Sequence, residues 1–184
     1  MTRASREVET APRSRPWLRF GVTFAALLLG FEFVFRGWLI DSETFATYRR
    51  VLAHLAGGLL ALLGQEARVH GTLLTSATAS FEVVPGCAAV ETTAFLCIAV
   101  FATPVSMRHR LLGVLLGVVV MFAANLVRIA SLVVLHDFSR RADLVTLAHH
   151  GVWPMILTAL SVALWIAWVR RAATSAAASI EVLP

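Results

Sequence analysis

Long apolar blocks alternate with short polar connections along this chain of 184 residues. The first block, from Trp17 to Ile40, is long enough to cross a bilayer, which requires about 20 apolar residues in a helix. Three further blocks cover residues 88–105, 111–135 and 149–169. The pattern predicts an all-α polytopic membrane protein with about four to six transmembrane helices.

Two weaker segments lie between the first and second blocks. Residues 41–50 are polar and predict a short loop, and the apolar run at 51–64 that follows is only about fourteen residues long. Such a run is short for a crossing, so we expect a re-entrant or interfacial helix. Residues 68–84 are rich in Thr, Ser, Val and Phe with partial alternation, which indicates a short extracytoplasmic hairpin.

The two ends of the chain differ in composition from its middle. Residues 1–16 are polar, basic and Pro-containing, so we expect a disordered cytoplasmic tail there rather than a cleavable signal peptide. Residues 17–171 form a single transmembrane domain in this interpretation. Residues 172–184 are mostly small and predict a flexible C-terminal tail.

The charge content favours lipid over nucleic acid as a partner. Apolar residues make up 58% of the chain and charged residues only 15%, against about 25% charged in a typical soluble domain. The net charge is +5, and all sixteen basic residues are Arg. These Arg residues lie mostly at the ends of apolar blocks, where they orient helices in a membrane. We therefore expect no nucleic-acid binding.

The Arg distribution also predicts an orientation. If the run at 51–64 does not cross, the N-terminal tail, the loop at 106–110 and the Arg pair at 170–171 lie on one side. The positive-inside rule makes that side cytoplasmic. Residues 41–50 and 136–148 then face the periplasm of a bacterial-type inner membrane. The Arg pair at 140–141 opposes this rule, and nearby Asp residues partly offset it.

Three reactive side chains gather at the outer face in this topology. Cys87 follows a Pro-Gly break at the start of the 88–105 block, where a helix N-terminus would favour a thiolate. Arg128 lies inside an apolar block, where an unpaired charge is costly and therefore marks a functional candidate. His149 and His150 open the last block, and only one of them can face a given site because adjacent helical residues diverge. A nucleophile, a cation and a base suffice for acyl transfer.

Several other polar residues have a supporting or a structural interpretation. Asn125 shares a helix face with Arg128, and Glu91, one turn past Cys87, could pair with Arg128 or His149. Arg128 could instead be purely structural, paired with Glu91 or with Glu32. Glu32 also has an oppositely charged neighbour one turn on, at position 36, and the two could neutralise each other near a membrane face.

The two cysteines do not predict a disulfide. Cys87 and Cys97 would lie roughly 15 Å apart on one helix, beyond the reach of about 7 Å between Cα atoms. Cys97 has no polar neighbour and is expected to be a packing residue. The chain has neither HExxH nor CxxC spacing, so we expect no metal site and no cofactor.

In their order and membrane placement, these residues resemble the exosortase/archaeosortase family. The segment GCAAVE around Cys87 is similar to the family's Cys segment, and Asn125-Leu-Val-Arg128 is similar to its Asn-x-x-Arg segment. His149, four residues before a Trp, resembles the His that opens the family's final helix. The spacing from Cys87 to Glu91 and the Trp-x-x-Trp near the end are most similar to the exosortase H subgroup. The likeness covers about residues 50–171.

The resemblance implies a cysteine peptidase and transpeptidase. Its substrates would be secreted proteins that end in a short motif, a transmembrane helix and a basic tail. Cleavage at the periplasmic face would pass the protein to a surface acceptor, with Cys87 as nucleophile, Arg128 as electrostatic partner and His149 as base. Asn125, Glu91 and His150 would support them. The competing hypothesis is a non-enzymatic membrane transport or assembly subunit with a structural Arg–Glu bridge.

Overall fold

The computed structural model describes residues 16–181, and the expected tail at 1–16 lies outside them apart from its last residue. Six helices and three strands follow in order: α1 Pro16–Val34, α2 Glu43–Leu62, β1 Ala67–His70, β2 Leu73–Ser76, β3 Ser80–Glu82, α3 Val90–Ala102, α4 Met107–Ser139, α5 Ala142–Leu147 and α6 Trp153–Glu181. A π-helical segment, Phe35–Leu39, extends α1, and a second one, Ala148–Val152, joins α5 to α6. Because α6 runs through Glu181, the helix covers most of the segment 172–184.

Among the described residues, three helical segments are long and apolar enough to cross a membrane: Trp17–Leu39, Met107–Ser139 and Ala142–Ala172. The shorter apolar helix α3 has 13 residues, about 20 Å of helix, and it packs against α1, α4 and α6. The prediction of an all-α polytopic membrane protein is confirmed.

Small residues let the helices approach closely. A Cβ atom built on Gly113 of α4 would lie 2.5 Å from the indole nitrogen of Trp168 on α6. One turn on, a Cβ on Gly117 would lie 2.7 Å from Leu96 of α3. Helix pairs in membranes commonly pack through such small residues, because lipid supplies no hydrophobic drive between helices.

The prediction of a polar loop at 41–50 is wrong, because α2 begins within this segment. The Ser42 hydroxyl accepts a hydrogen bond from the Phe45 N–H at 3.1 Å, which caps α2 at its N-terminus. The apolar run at 51–64 is therefore mostly the second half of a 20-residue helix. This helix is not among the three segments apolar enough to span, and it packs against α4 and the sheet.

The expected hairpin is present and carries a third strand. The strands pair antiparallel in the order β1-β2-β3, with Val69 opposite Leu74 and Leu74 opposite Phe81. At the end of α4, the Asp137 carboxylate accepts hydrogen bonds from Ser76 at 2.7 Å and from Thr78. These bonds fasten the β2–β3 connection to α4.

The bundle has one end that carries the sheet and an opposite end that holds the loop between α3 and α4. At this opposite end, the Arg110 guanidinium donates to the Thr103 carbonyl at 3.2 Å. The Trp165 indole of α6 donates to the Thr103 hydroxyl at 3.2 Å and stacks on Phe20 of α1. The start of α1, the end of α3, the start of α4 and the middle of α6 therefore meet. The end that carries the sheet also holds α2 and the segment that contains Cys87.

Candidate functional site

Cys87 lies in a short 3-10 turn, Pro85–Cys87, ahead of α3. The Cys87 N–H donates to the Val84 carbonyl at 2.8 Å and closes the turn. Ala89 then takes a left-handed conformation with φ 52°, and the helix begins only at Val90. Cys87 therefore lies near the N-terminus of α3, as expected, but in a separate turn that this left-handed residue divides from the helix.

Two side chains of α4 hold the backbone of this turn. The Asn125 amide donates to the Cys87 carbonyl at 2.8 Å, and Arg128 Nη1 donates to the Gly86 carbonyl at 3.2 Å. Asn125 and Arg128 lie three residues apart and so share a helix face. Both are buried, with 1% and 4% of their surface exposed. The Asn-x-x-Arg segment thus positions the residue that carries the thiol.

Two side chains of α2 hold the same segment from the other side. Arg49 Nη1 donates to the Val83 carbonyl at 3.3 Å, and the Tyr48 hydroxyl donates to the Ala88 carbonyl at 3.4 Å. Sequence reasoning missed both residues because it placed them in a loop. The capping serine at the start of α2 was the signal that could have revealed the helix.

His149 is brought to the thiol by the π-helical segment between α5 and α6. Its Nε2 atom lies 3.7 Å from the Cys87 Sγ atom. Arg128 Nη2 donates to the His149 carbonyl at 3.3 Å, so one guanidinium bridges the backbones of the Cys87 turn and the His149 segment. The exposed His150 ring stacks on His149 at 4.4 Å, and it is the His149 ring that contacts the thiol.

The site is electropositive and largely buried. No carboxylate among residues 17–172 pairs with Arg128, and its Nε atom and Asn125 Oδ1 are buried without a hydrogen-bond partner there. Burial raises the pKa of the Cys87 thiol, while the Arg128 charge and a backbone hydrogen bond at Val84 oppose the rise. Burial is the larger of these influences and favours the protonated thiol, whereas the sequence predicted a preference for the thiolate.

Glu91 pairs with neither Arg128 nor His149, contrary to the expectation, although it lines a cavity together with Arg128. Its carboxylate accepts from Arg36 Nη2 at 2.9 Å. The Arg36 Nε atom also donates to Glu32 at 2.6 Å, which confirms that one-turn pair. Together they tie the end of α1 to the start of α3. The transport-subunit hypothesis rested on a structural bridge between Arg128 and a carboxylate. No such bridge is present among residues 17–172.

Two cavities open beside the site. One, of about 80 Å³, is lined by Cys87 and His149 and by mostly apolar residues of the sheet, α4 and α5, including Phe81, Val83 and Val145. The other, of about 140 Å³, includes Gly86 and Arg128. The thiol therefore borders a space that an apolar side chain could enter.

The second cysteine lies apart from this site. Cys97 is a half-buried residue of α3, and both thiols are free. Across residues 16–181, no group of three or more His, Cys, Asp or Glu side chains is placed to hold a metal ion.

Comparison with known proteins gives one family match. The family model described as "Transmembrane exosortase (Exosortase_EpsH)" matches residues 16–167. This range covers most of the chain and contains every residue of the site. No curated protein and no solved structure matches the chain.

Proposed function

Because the chain belongs to the transmembrane exosortase family, we propose that it is a cysteine peptidase and transpeptidase of the inner membrane. It cleaves the C-terminal sorting signal of secreted proteins at the periplasmic face and transfers the protein to a surface acceptor. The observation that carries this proposal is the approach of Cys87 Sγ to His149 Nε2, at 3.7 Å, with Arg128 bonded to both segments.

The reaction begins with a neutral thiol, since burial raises the pKa of Cys87. His149 Nε2 takes the thiol proton as the sulfur attacks the scissile carbonyl carbon, so a free thiolate need not accumulate. When the tetrahedral intermediate collapses, the C–N bond breaks and the His149 imidazolium returns the proton to the leaving amine. The passenger protein is left as a thioester on Cys87.

The second half of the reaction repeats this proton transfer with the acceptor. A nucleophilic amine or hydroxyl group of the acceptor attacks the thioester, and His149 takes its proton and returns it to the departing Cys87 sulfur. Arg128 is the buried positive charge nearest both steps. Since no carboxylate among the described residues neutralises it, its field stabilises the negative charge that develops on the sulfur and on the carbonyl oxygen.

Helix lengths support a site at the outer membrane face. Arg128 lies 21 residues after Met107, and His149 lies 21 residues before Arg170. Each interval is about 32 Å of helix, close to the hydrocarbon thickness of about 30 Å. The site therefore lies about one bilayer thickness from the end that holds residues 106–110 and 170–171, which the orientation predicted from the sequence puts in the cytoplasm.

The substrates proposed here are secreted proteins with a C-terminal motif, a transmembrane helix and a basic tail. Such a helix would lie in the lipid beside the bundle and present its outer end at the level of Cys87. A basic tail would remain at the cytoplasmic surface for the same reason that this chain's Arg residues do.

The decisive test is processing of a tagged secreted protein from the same genome that ends in this way. Cys87→Ala and Cys87→Ser should abolish processing on an immunoblot while the membrane level of the protein stays unchanged. The matched control, Cys97→Ala, should process normally because that residue lies outside the site. Normal processing by Cys87→Ala would refute the proposal.

The proposed side of the membrane has its own test. In a background without Cys87 and Cys97, single cysteines at Ser106 and Ser139 would be exposed to a membrane-impermeant maleimide in spheroplasts. Position 139 should be labelled and position 106 should be protected. The reverse pattern would put the site in the cytoplasm and exclude secreted substrates.

A further inference from the structure

The sheet has two edge strands, β1 and β3, and β3 is the edge strand that borders the cavity beside the site. Among residues 16–181, β3 pairs only with β2, and the other side of β3 faces no strand. Ser80 and Glu82 at this edge are exposed. An edge strand presents a row of backbone donors and acceptors that can pair with another extended chain.

The hydrogen-bond register shows which backbone groups are available. The Val83 N–H donates to Thr72, and the Ala79 carbonyl accepts from Ser76, both across to β2 or its ends. Because antiparallel pairing alternates, the backbone groups of Ser80 and Glu82 point away from β2. The Glu82 carbonyl already accepts from Val84 at 3.0 Å, whereas no described backbone group accepts from the Ser80 or Glu82 N–H.

This strand also forms part of the wall of the cavity that holds the thiol. Phe81, Glu82 and Val83 line the same space of about 80 Å³ as Cys87 and His149. The strand is firmly placed, since Asp137 at the end of α4 holds the β2–β3 connection. An occupant of the β3 edge would therefore lie next to the reactive sulfur.

We propose that the substrate segment to be cleaved binds as an extended strand along the free edge of β3, as a fourth strand of the sheet. The inference rests on the proposed function and adds where and in what conformation the substrate lies. The outward N–H groups of Ser80 and Glu82 donate to its backbone carbonyls. This β-augmentation supplies affinity that is independent of side chains.

The arrangement also predicts how specificity arises. Successive side chains of a strand point to opposite faces, so alternate residues of the bound segment would enter the cavity beside Cys87. That cavity is small and mostly apolar, with Phe81, Val83 and Leu132 among its lining residues. It therefore selects a small apolar side chain at one position of the motif.

The first test removes the edge donor without touching the β2–β3 pairing. Glu82→Pro eliminates the outward N–H and should reduce processing of the tagged secreted protein roughly tenfold, the loss expected for about one hydrogen bond. Glu82→Ala keeps the N–H and should process distinctly faster than Glu82→Pro. Ala67→Pro places a proline at the opposite edge of the sheet and should process as wild type.

These variants separate the two proposals. Wild-type processing by Glu82→Pro would overturn strand docking, and so would an equal loss in Glu82→Ala, which would assign the effect to the carboxylate. Either result would leave the cysteine mechanism intact as long as Cys87→Ala fails to process. Equal processing by wild type and Cys87→Ala would instead refute the proposed function.

The second test measures the bound conformation directly and needs no turnover. A cysteine at Ser80, in a chain without Cys87 and Cys97, is oxidatively crosslinked to single cysteines moved along the substrate motif. An extended strand predicts crosslinks at alternate positions. Crosslinks with a helical period of three to four residues, or none along the whole motif, would overturn the proposal.

Discussion

Replacing Arg128 with lysine tests whether its shape, and not only its charge, serves the site. The guanidinium donates through Nη1 to the Gly86 carbonyl and through Nη2 to the His149 carbonyl. Lysine ends in a single nitrogen and cannot reproduce this fork. It therefore loses at least one charge-assisted hydrogen bond to a buried carbonyl, worth about 1.5–3 kcal/mol. This loss corresponds to a reduction of roughly 10- to 150-fold in processing rate if it falls on the reactive geometry.

The assay is the initial rate of processing of the tagged substrate, normalised to the amount of enzyme in the membrane. Arg110→Lys is the matched control, because Arg110 also donates to a backbone carbonyl but at the opposite end of α4. Arg128→Ala combined with Glu91→Ala should not recover activity, since Glu91 pairs with Arg36 and not with Arg128. Near-normal activity in Arg128→Lys would refute the bridging role, and recovery in the double variant would return Arg128 to a structural ion pair.

Two further predictions concern the thiol and the packing of the bundle. Since burial raises the pKa of Cys87, the midpoint of its alkylation rate against pH should lie above that of an ordinary cysteine. Arg128→Ala should raise this midpoint further. A midpoint below the ordinary value would indicate a preformed thiolate. Gly113→Ala should destabilise the protein in detergent by about 1–3 kcal/mol, because its Cβ would meet the rigid Trp168 ring at 2.5 Å. In the control Gly21→Ala, the new Cβ has no atom within 4 Å, so this variant should be neutral or stabilised by about 0.5–1 kcal/mol. Equal shifts of the thermal unfolding temperature in the two variants would contradict this reasoning.

The membrane helices were predictable because their signal is local. The thickness of the bilayer sets the length of an apolar block, so the block from Trp17 to Ile40 and those at 111–135 and 149–169 identify spanning helices without reference to any partner. The motif residues could also be selected individually. A lone Arg in an apolar block, such as Arg128, costs so much free energy that it indicates a functional residue.

Ion-pair partners and local acidity were decided by the tertiary structure. The sequence offered Glu91 two candidate partners, Arg128 and His149, but Glu91 pairs with Arg36, 55 positions earlier in the chain. The pKa of Cys87 depends on burial by residues from α2, the sheet and α4, and this burial outweighs the charge of Arg128. Neither the ion-pair partner of Glu91 nor the pKa of Cys87 follows from the spacing of residues along the sequence. Both depend on distances between segments that are far apart in the chain.

The sequence by itself determined the family, the membrane-spanning pattern and four of the side chains that meet at the site. Those features depend on residue type and order, which each segment carries independently of the rest. Only the tertiary structure decided how the Cys87 segment is held, by Tyr48 and Arg49 on one side and by the α4 residues on the other. The physical reason is that these bonds end on backbone carbonyls. Every residue has a carbonyl, so the pattern of side chains cannot reveal which of them a distant donor will reach.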